Sequence, residues 1–221
     1  LIHSLLKNVS YNKNRQKSSV KLFEIGKTYS IKSSKIIEKN VVSGIATGFN
    51  YPKNLKSDKL LATFYDIKGD ILSVLPNLQI DLMSQESYLK SNCQSHIKHG
   101  TKKIGLIGEV DNKLLTKYEI KGETIYFEID LDQATQLEAP KISEFSIYPK
   151  VQRDLTVICD SSYVSGVLIN KIREKSLKHM INIRISDIFY NESTKSKNVT
   201  LEFMFQAKDR TLVDKDVADE M

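Results

Sequence analysis

The stretch from Glu138 to Lys150 carries Pro140 and Pro149 and shows no helical pattern, and the hydrophobic patterning differs on its two sides. Proline removes a backbone donor and resists helix interiors, so the stretch predicts a boundary near residue 145. The chain of 221 residues then divides into units at 1–145 and 146–221, each of ordinary domain size. A content of 40% hydrophobic and 27% charged residues is enough to bury a core and excludes a disordered tail. Mean hydropathy is -0.31, and no apolar run approaches the roughly 18 residues of a membrane span. A multispan membrane protein is therefore excluded. Cys93 and Cys159 are the only cysteines and lack metal-type spacing. They exclude a disulfide-stapled miniprotein and fit a reducing cytosol. Leu1-Ile2-His3-Ser4 has no basic n-region before an apolar run, so no signal peptide is expected. The chain opens on Leu1, and Val213 to Met221 stops within a helix-like pattern. The expectation is an internal piece of a longer protein.

In the first part, Ile2, Leu5, Leu6 and Val9 have helical spacing and predict a helix over 1–12. Lys21 to Gly26 reads as a strand closed by glycine, and Val41 to Gly48 as a second strand. Asn50 to Lys59, with Pro52 and three lysines, predicts an exposed loop. Phe64, Ile67, Ile71 and Leu75 form one apolar stripe that Pro76 ends, so Thr63 to Leu75 reads as a helix. Ile104 to Val110 is strand-like. Asp111-Asn112 can cap a short helix through Leu114, Leu115 and Tyr118. Ile125, Phe127, Ile129 and Leu131 alternate with Tyr126, Glu128 and Asp130, the pattern of a half-buried strand.

The second part has a different order. Asp154 to Cys159 reads as a strand, and Ser161-Ser162 can cap a helix with Val164, Val167, Leu168 and Ile172 as its apolar face. Ile181 to Phe189 predicts a strand. The turn Asn191 to Asn198 leads to another, with Val199, Leu201, Phe203 and Phe205 on one face. A final helix begins near Asp214, which is its expected cap. This order predicts a ferredoxin-like βαββαβ unit lacking its last strand.

The net charge of +6 permits a nucleic-acid partner without requiring one. Only five basic residues are arginines: Arg15, Arg153, Arg173, Arg184 and Arg210.

Leu22-Phe23-Glu24-Ile25-Gly26, Tyr65-Asp66-Ile67-Lys68-Gly69-Asp70 and Ile104-Gly105-Leu106-Ile107-Gly108-Glu109-Val110 occur in that order. They resemble the catalytic-like domain of the beta subunit of bacterial phenylalanyl-tRNA synthetases. Tyr148-Pro149, Arg153-Asp154-Leu155, Asp187 with Phe189, Phe205-Gln206 and Asp209-Arg210-Thr211-Leu212 follow. They resemble that subunit's C-terminal anticodon-binding domain. The ordered set spans nearly the whole chain and is far more specific than any one motif. The resemblance implies an α+β chain: a class II synthetase-like antiparallel sheet domain, then a ferredoxin-like anticodon-binding domain truncated at its C-terminus. It also implies a soluble α2β2 ligase that charges phenylalanine onto its tRNA with ATP and magnesium. In that family chemistry resides in the alpha subunit, so no catalytic or metal-binding residue is expected in this chain. The residues agree. A class II site needs arginine forks on the ATP phosphates, and residues 1–145 contain only Arg15.

The resemblance places Phe189 as the stacking platform for the first anticodon base, where the family usually has tyrosine. It places Asp187 as the acceptor for guanine, Thr156 in the pocket wall, and Asn198 at a position of a family serine. Ile183, Ile185, Asp187 and Phe189 share strand parity. A regular strand that turned the isoleucines to the helices would take Asp187 and Phe189 with them. Either the strand bulges or it ends before Asp187. Lys171, Arg173, Lys175, Lys178 and Arg184 are candidates for contacts to stem phosphates; a solvated helix end explains them equally well.

Other constellations have blander readings. His96 and His99 lack further ligands and read as structural or surface residues. Asp66 and Asp70 read as a solvated helix face, Arg153-Asp154 as a local ion pair or strand cap, and Arg210 as a staple for the turn into the last helix. A scaffold that assembles an oligomer without touching RNA is the rival function.

Overall fold

The computed structural model describes residues 1–32, 34–51, 60–76, 78–82, 86–134 and 145–221. Most of the expected loop from Asn50 to Lys59, and the boundary stretch up to Glu144, lie outside them. The chain divides into two compact units, Leu1–Ala139 and Pro140–Met221.

The first unit runs α1 (Ile2–Lys13), β1 (Val20–Lys32), β2 (Lys35–Thr47), β3 (Phe49–Tyr51), β4 (Leu60–Leu61), α2 (Phe64–Val74), β5 (Gln79–Leu82), β6 (Leu89–His99), β7 (Lys102–Val110), α3 (Asn112–Lys117), β8 (Thr124–Asp130) and α4 (Leu131–Ala134). Six of its strands make one sheet in the order β1-β2-β8-β7-β6-β5. Every neighbouring pair is antiparallel.

The central strands of this sheet are buried on both faces. One face carries Ile45, Leu106 and Tyr126 against Leu5, Leu6 and Val9 of α1. The other carries Ala46, Ile107 and Ile125 against Ile67 and Ile71 of α2. Neighbouring residues therefore enter opposite cores. The expected half-buried strand is corrected: Tyr126 is as deeply buried as Ile125. Its hydroxyl donates to Glu128 Oε2 at 2.6 Å, and burial raises the phenol's pKa.

The expected end of the first strand at Gly26 is also corrected. Gly26 pairs with Val41, and β1 continues to Lys32, because β2 extends beside it and satisfies its backbone groups. The helix expectations at 1–12 and 63–75 hold. Thr63 and Asp66 form a reciprocal capping box at the start of α2, so Asp66 is a cap rather than half of a paired-carboxylate site. Asp111 caps α3, accepting from the Lys113 amide at 2.8 Å.

The second unit runs β9 (Val151–Asp160), α5 (Ser165–Glu174), β10 (Met180–Asn191), β11 (Ser196–Phe205) and α6 (Asp214–Ala218). Its sheet order is β10-β11-β9, all antiparallel, the arrangement of the first three strands of a ferredoxin fold. Val199, Leu201, Phe203 and Phe205 of β11 are buried with Leu168, Ile169 and Ile172 of α5 and Val217 of α6. The helices cover this face.

Three local expectations fail here. Helix α5 starts at Ser165 with Val164 as its N-cap. Ser161 and Ser162 do not cap it; the Ser162 amide and hydroxyl both donate to Asp160. Val164 and Val167 thus drop out of its apolar face, and Val167 is exposed. Arg153 pairs with Asp214 of α6, not with its neighbour Asp154. Asp214 is the first residue of α6, and the capping carboxylate is Asp216, which accepts from the Val213 amide at 3.1 Å. Asp216 also accepts from Arg210 at 3.0 Å, so the staple expected of Arg210 is present.

Two glycines give opposite predictions. A Cβ on Gly105 would lie 2.3 Å from the Glu128 carbonyl oxygen and 3.1 Å from Ile129 Cα, both backbone atoms, whereas one on exposed Gly69 would meet nothing within 4 Å. Gly105→Ala should destabilise by about 1–3 kcal/mol through overpacking. Gly69→Ala, in the interior of α2, should stabilise by up to about 1 kcal/mol. Urea midpoints of the two variants check both signs.

Candidate nucleic-acid interface

The unit-2 sheet has one face covered by helices and one open. On β9 and β11 the open face follows simple alternation: Gln152, Asp154, Thr156 and Ile158 on β9, and Asn198, Thr200, Glu202 and Met204 on β11. On β10 alternation alone would fail. The ladder pairs Ile183 with Phe203 and Ile185 with Leu201, then steps to Asp187 with Thr200 and Phe189 with Asn198. Ser186 is the extra residue of a β-bulge, and each bulge shifts strand parity by one. Ile183, Ile185 and Ile188 therefore all join the core, while Asp187 and Phe189 turn to the open face. Of the two alternatives left by the sequence, the strand bulges and continues to Asn191.

The bulge brings together the four residues named for base recognition. Phe189, Asn198 and Ile158 form one cross-strand row; Asp187, Thr200 and Thr156 form the next. Phe189 is 63% exposed. Thr156 and Thr200 hydroxyls hydrogen-bond at 3.0 Å. One Asp187 oxygen accepts from the Ile188 amide at 2.8 Å, which orients the carboxylate at the bulge. Ile158 and Thr200 were not anticipated. The three apolar side chains in succession at Val157, Ile158 and Cys159 break the alternation, and that was the available signal for Ile158.

The basic residues are not gathered with them. Lys171 and Arg173 sit in the last turn of α5, Lys175 is its C-cap, and Lys178 lies between α5 and β10, so all four stand with the helix layer. Arg184 alone is on the open face. Its Nε and Nη2 donate to the two Glu202 oxygens at 2.7 and 2.8 Å, and Gln152 Nε2 donates to Glu202 at 3.1 Å. Hydrogen bonding to Arg184 holds the Glu202 carboxyl below the usual glutamate range.

Unit 1 presents a different surface. Phe23, Ile25, Tyr29 and Ile31 alternate along β1, with Ile36 opposite Ile31 on β2, and all five are well exposed. An apolar cleft between β1 and α2, lined by Phe23, Val42, Ile71, Val74 and Phe127, adjoins them. Its single arginine, Arg15, stacks on the ring of Tyr11 and donates to the Tyr11 carbonyl at 3.2 Å. Among the described residues no group of three or more His, Cys, Asp or Glu is placed to hold a metal ion. Strand alternation on β6 sends His96 and His99 to opposite faces. No helix among the described residues is long and apolar enough to cross a membrane.

Comparison with known proteins agrees with this division. A family model described as the phenylalanyl tRNA synthetase beta chain CLM domain matches residues 1–131. This chain belongs to the phenylalanyl-tRNA synthetase beta-chain family. A second model, the ferredoxin-fold anticodon binding domain, matches residues 146–221. The beta chain of Francisella tularensis subsp. tularensis, a phenylalanine--tRNA ligase beta subunit, is 28% identical across 97% of this chain. That of Buchnera aphidicola subsp. Acyrthosiphon pisum is 30% identical across 96%, and that of Legionella pneumophila strain Lens 26% across 96%. In each case the match spans 28% of the relative's length.

The lowered Glu202 pKa has a consequence for stability. A carboxyl whose folded value lies below its unfolded value adds stability that is present above about pH 4.3. That stability is lost as pH falls through the folded value. Glu202→Gln should flatten the acid side of the stability profile. Urea midpoints from pH 7 down to pH 3 measure it, and the gap between variant and parent should narrow towards pH 3.

Proposed function

We propose that this chain is the part of a phenylalanine–tRNA ligase beta subunit that receives the tRNA anticodon and props the catalytic assembly. In this reading unit 2 binds an unstacked anticodon base on Phe189. Asp187 accepts hydrogen bonds from that base, Thr156 walls the pocket, and Asn198 donates and accepts beneath it. The observation that carries the reading is the bulge at Ser186, which delivers these residues to one open sheet face within the segment matched by the anticodon-binding model. Sequence-specific RNA recognition pairs unstacked bases of the RNA with aromatic platforms and polar groups on the protein, and this face supplies the latter two. Fixing the anticodon end positions the acceptor end at a distant active site, a proximity effect.

Unit 1 is a non-catalytic class II-like scaffold in this proposal. The intact α2β2 enzyme would use ATP and magnesium at a site in the alpha subunit. The position of Arg15, stacked on its own Tyr11, supports this, because it leaves adenylate chemistry in unit 1 without an arginine fork for phosphates. The apolar stripe on β1 and β2 is the surface through which the scaffold meets the alpha subunit. Exposed apolar patches of this kind mark protein–protein contacts.

Base–aromatic stacking contributes about 1–3 kcal/mol per base. In the full beta subunit assembled with its alpha subunit, Phe189→Ala should weaken binding of the phenylalanine anticodon stem-loop by about 5- to 150-fold. Phe189→Tyr should retain it. Unchanged affinity in the alanine variant would leave the RNA-free scaffold as the better reading. Separately, Ile25→Asp with Ile31→Asp should abolish co-elution of the two subunits on gel filtration while the beta subunit keeps its circular dichroism spectrum. Intact assembly would move the alpha-subunit surface elsewhere.

A further inference from the structure

We infer that Ile158 is a base-contacting residue: it forms the second wall of a slot, opposite Phe189, that closes on a single nucleobase. The inference rests on the anticodon reading and deepens it. Ile158, Asn198 and Phe189 lie on three consecutive strands in one row, with Asn198 paired to both neighbours. Ile158 is 71% exposed and Phe189 63%. Two large apolar side chains therefore stand in water on either side of a polar one.

Strand spacing sets the width of this arrangement. Two steps of about 4.8 Å place the outer backbones about 9.6 Å apart. A base stacks at about 3.4 Å. One flat ring fits between the phenyl group and the branched aliphatic chain, and two do not. Among the described residues the Asn198 carboxamide has no side-chain hydrogen-bond partner, so both its donor and its acceptor are available at the floor of the slot. In the adjoining row the Thr156 and Thr200 hydroxyls engage each other and so form a less demanding polar boundary. A base held this way is gripped on both faces by apolar groups and questioned at its edge by an amide, the general arrangement used for bases removed from a stack. Ile158 also has no structural task that accounts for it: it is absent from the unit-2 core and projects to the side away from the helices.

The test uses the full beta subunit with its alpha subunit. The probe is a phenylalanine anticodon stem-loop carrying 2-aminopurine at one anticodon position at a time. One position should brighten on binding, as its base leaves its stacked neighbours in the loop. Ile158→Ala should weaken binding about 3- to 10-fold, as expected for removing one partly buried aliphatic contact, and lose part of that gain in emission. Ile158→Leu should keep both. Ile158→Thr, which preserves β-branching, should lose both and guards against a folding defect in the alanine variant. If Phe189→Ala weakens binding while Ile158→Ala and Ile158→Thr leave affinity and emission unchanged, the slot is wrong and the Phe189 platform stands. If Phe189→Ala has no effect either, the anticodon reading itself fails, and this inference with it.

Discussion

The open face of the second unit depends on one inserted residue. From Asn182 to Ile185 the β10 ladder follows plain alternation, with Ile183 and Ile185 in the core opposite Phe203 and Leu201. Without the bulge the next core position would fall to Asp187, and an unpaired carboxylate under the helices is costly. Ser186 absorbs the conflict. Its hydroxyl donates to the Thr200 carbonyl at 3.2 Å, so the side chain satisfies an acceptor where the ladder is interrupted. The shift sends Ile188 inward beside Val199 and turns Asp187 and Phe189 outward together. Core packing and the placement of the candidate site are thus consequences of the same local irregularity.

The first unit answers a different constraint. The central strands of its sheet lie between α1 and α2, so adjacent residues on each must both be apolar or internally bonded. Glu128 shows how a charge is tolerated there: it accepts from the Tyr126 hydroxyl and, at 3.2 Å, from Ser43 Oγ. The cover does not extend over one face of the edge strand β1. Phe23, Ile25, Tyr29 and Ile31 alternate along β1 with only Lys27 interrupting the apolar series, and their side chains remain in water. A strand patterned for burial and left bare fits the assembly role proposed for this unit.

What the sequence disclosed follows from the range of the interactions involved. Helices α1 and α2, the Asp111 cap and the β11 alternation all rest on contacts within a few residues, and they were legible. So was the division of unit 2 into strand, helix, strand, strand and helix, because each element carries its own period. The extension of β1 beyond Gly26 was not, since it depends on β2 lying alongside. The partnership of Arg153 with Asp214 spans the unit and defeated a local reading. So did the start of α5, where Asp160 takes both donors of Ser162. At the candidate site the residue types were legible, and the strand parity posed the right question. Only the register with β11 could answer it.

The placement of charge on the open face has a further implication. Among the described residues its one cation, Arg184, is locked to Glu202, and Asp154 and Asp187 share the surface. For a polyanion such a face is repulsive at a distance and attractive only on contact. In the proposed anticodon role it would do little to speed the arrival of RNA, and a good deal to lengthen the stay of a strand whose base fits. Capture would then fall to other parts of the assembly, leaving this small sheet to discriminate among strands already delivered to it.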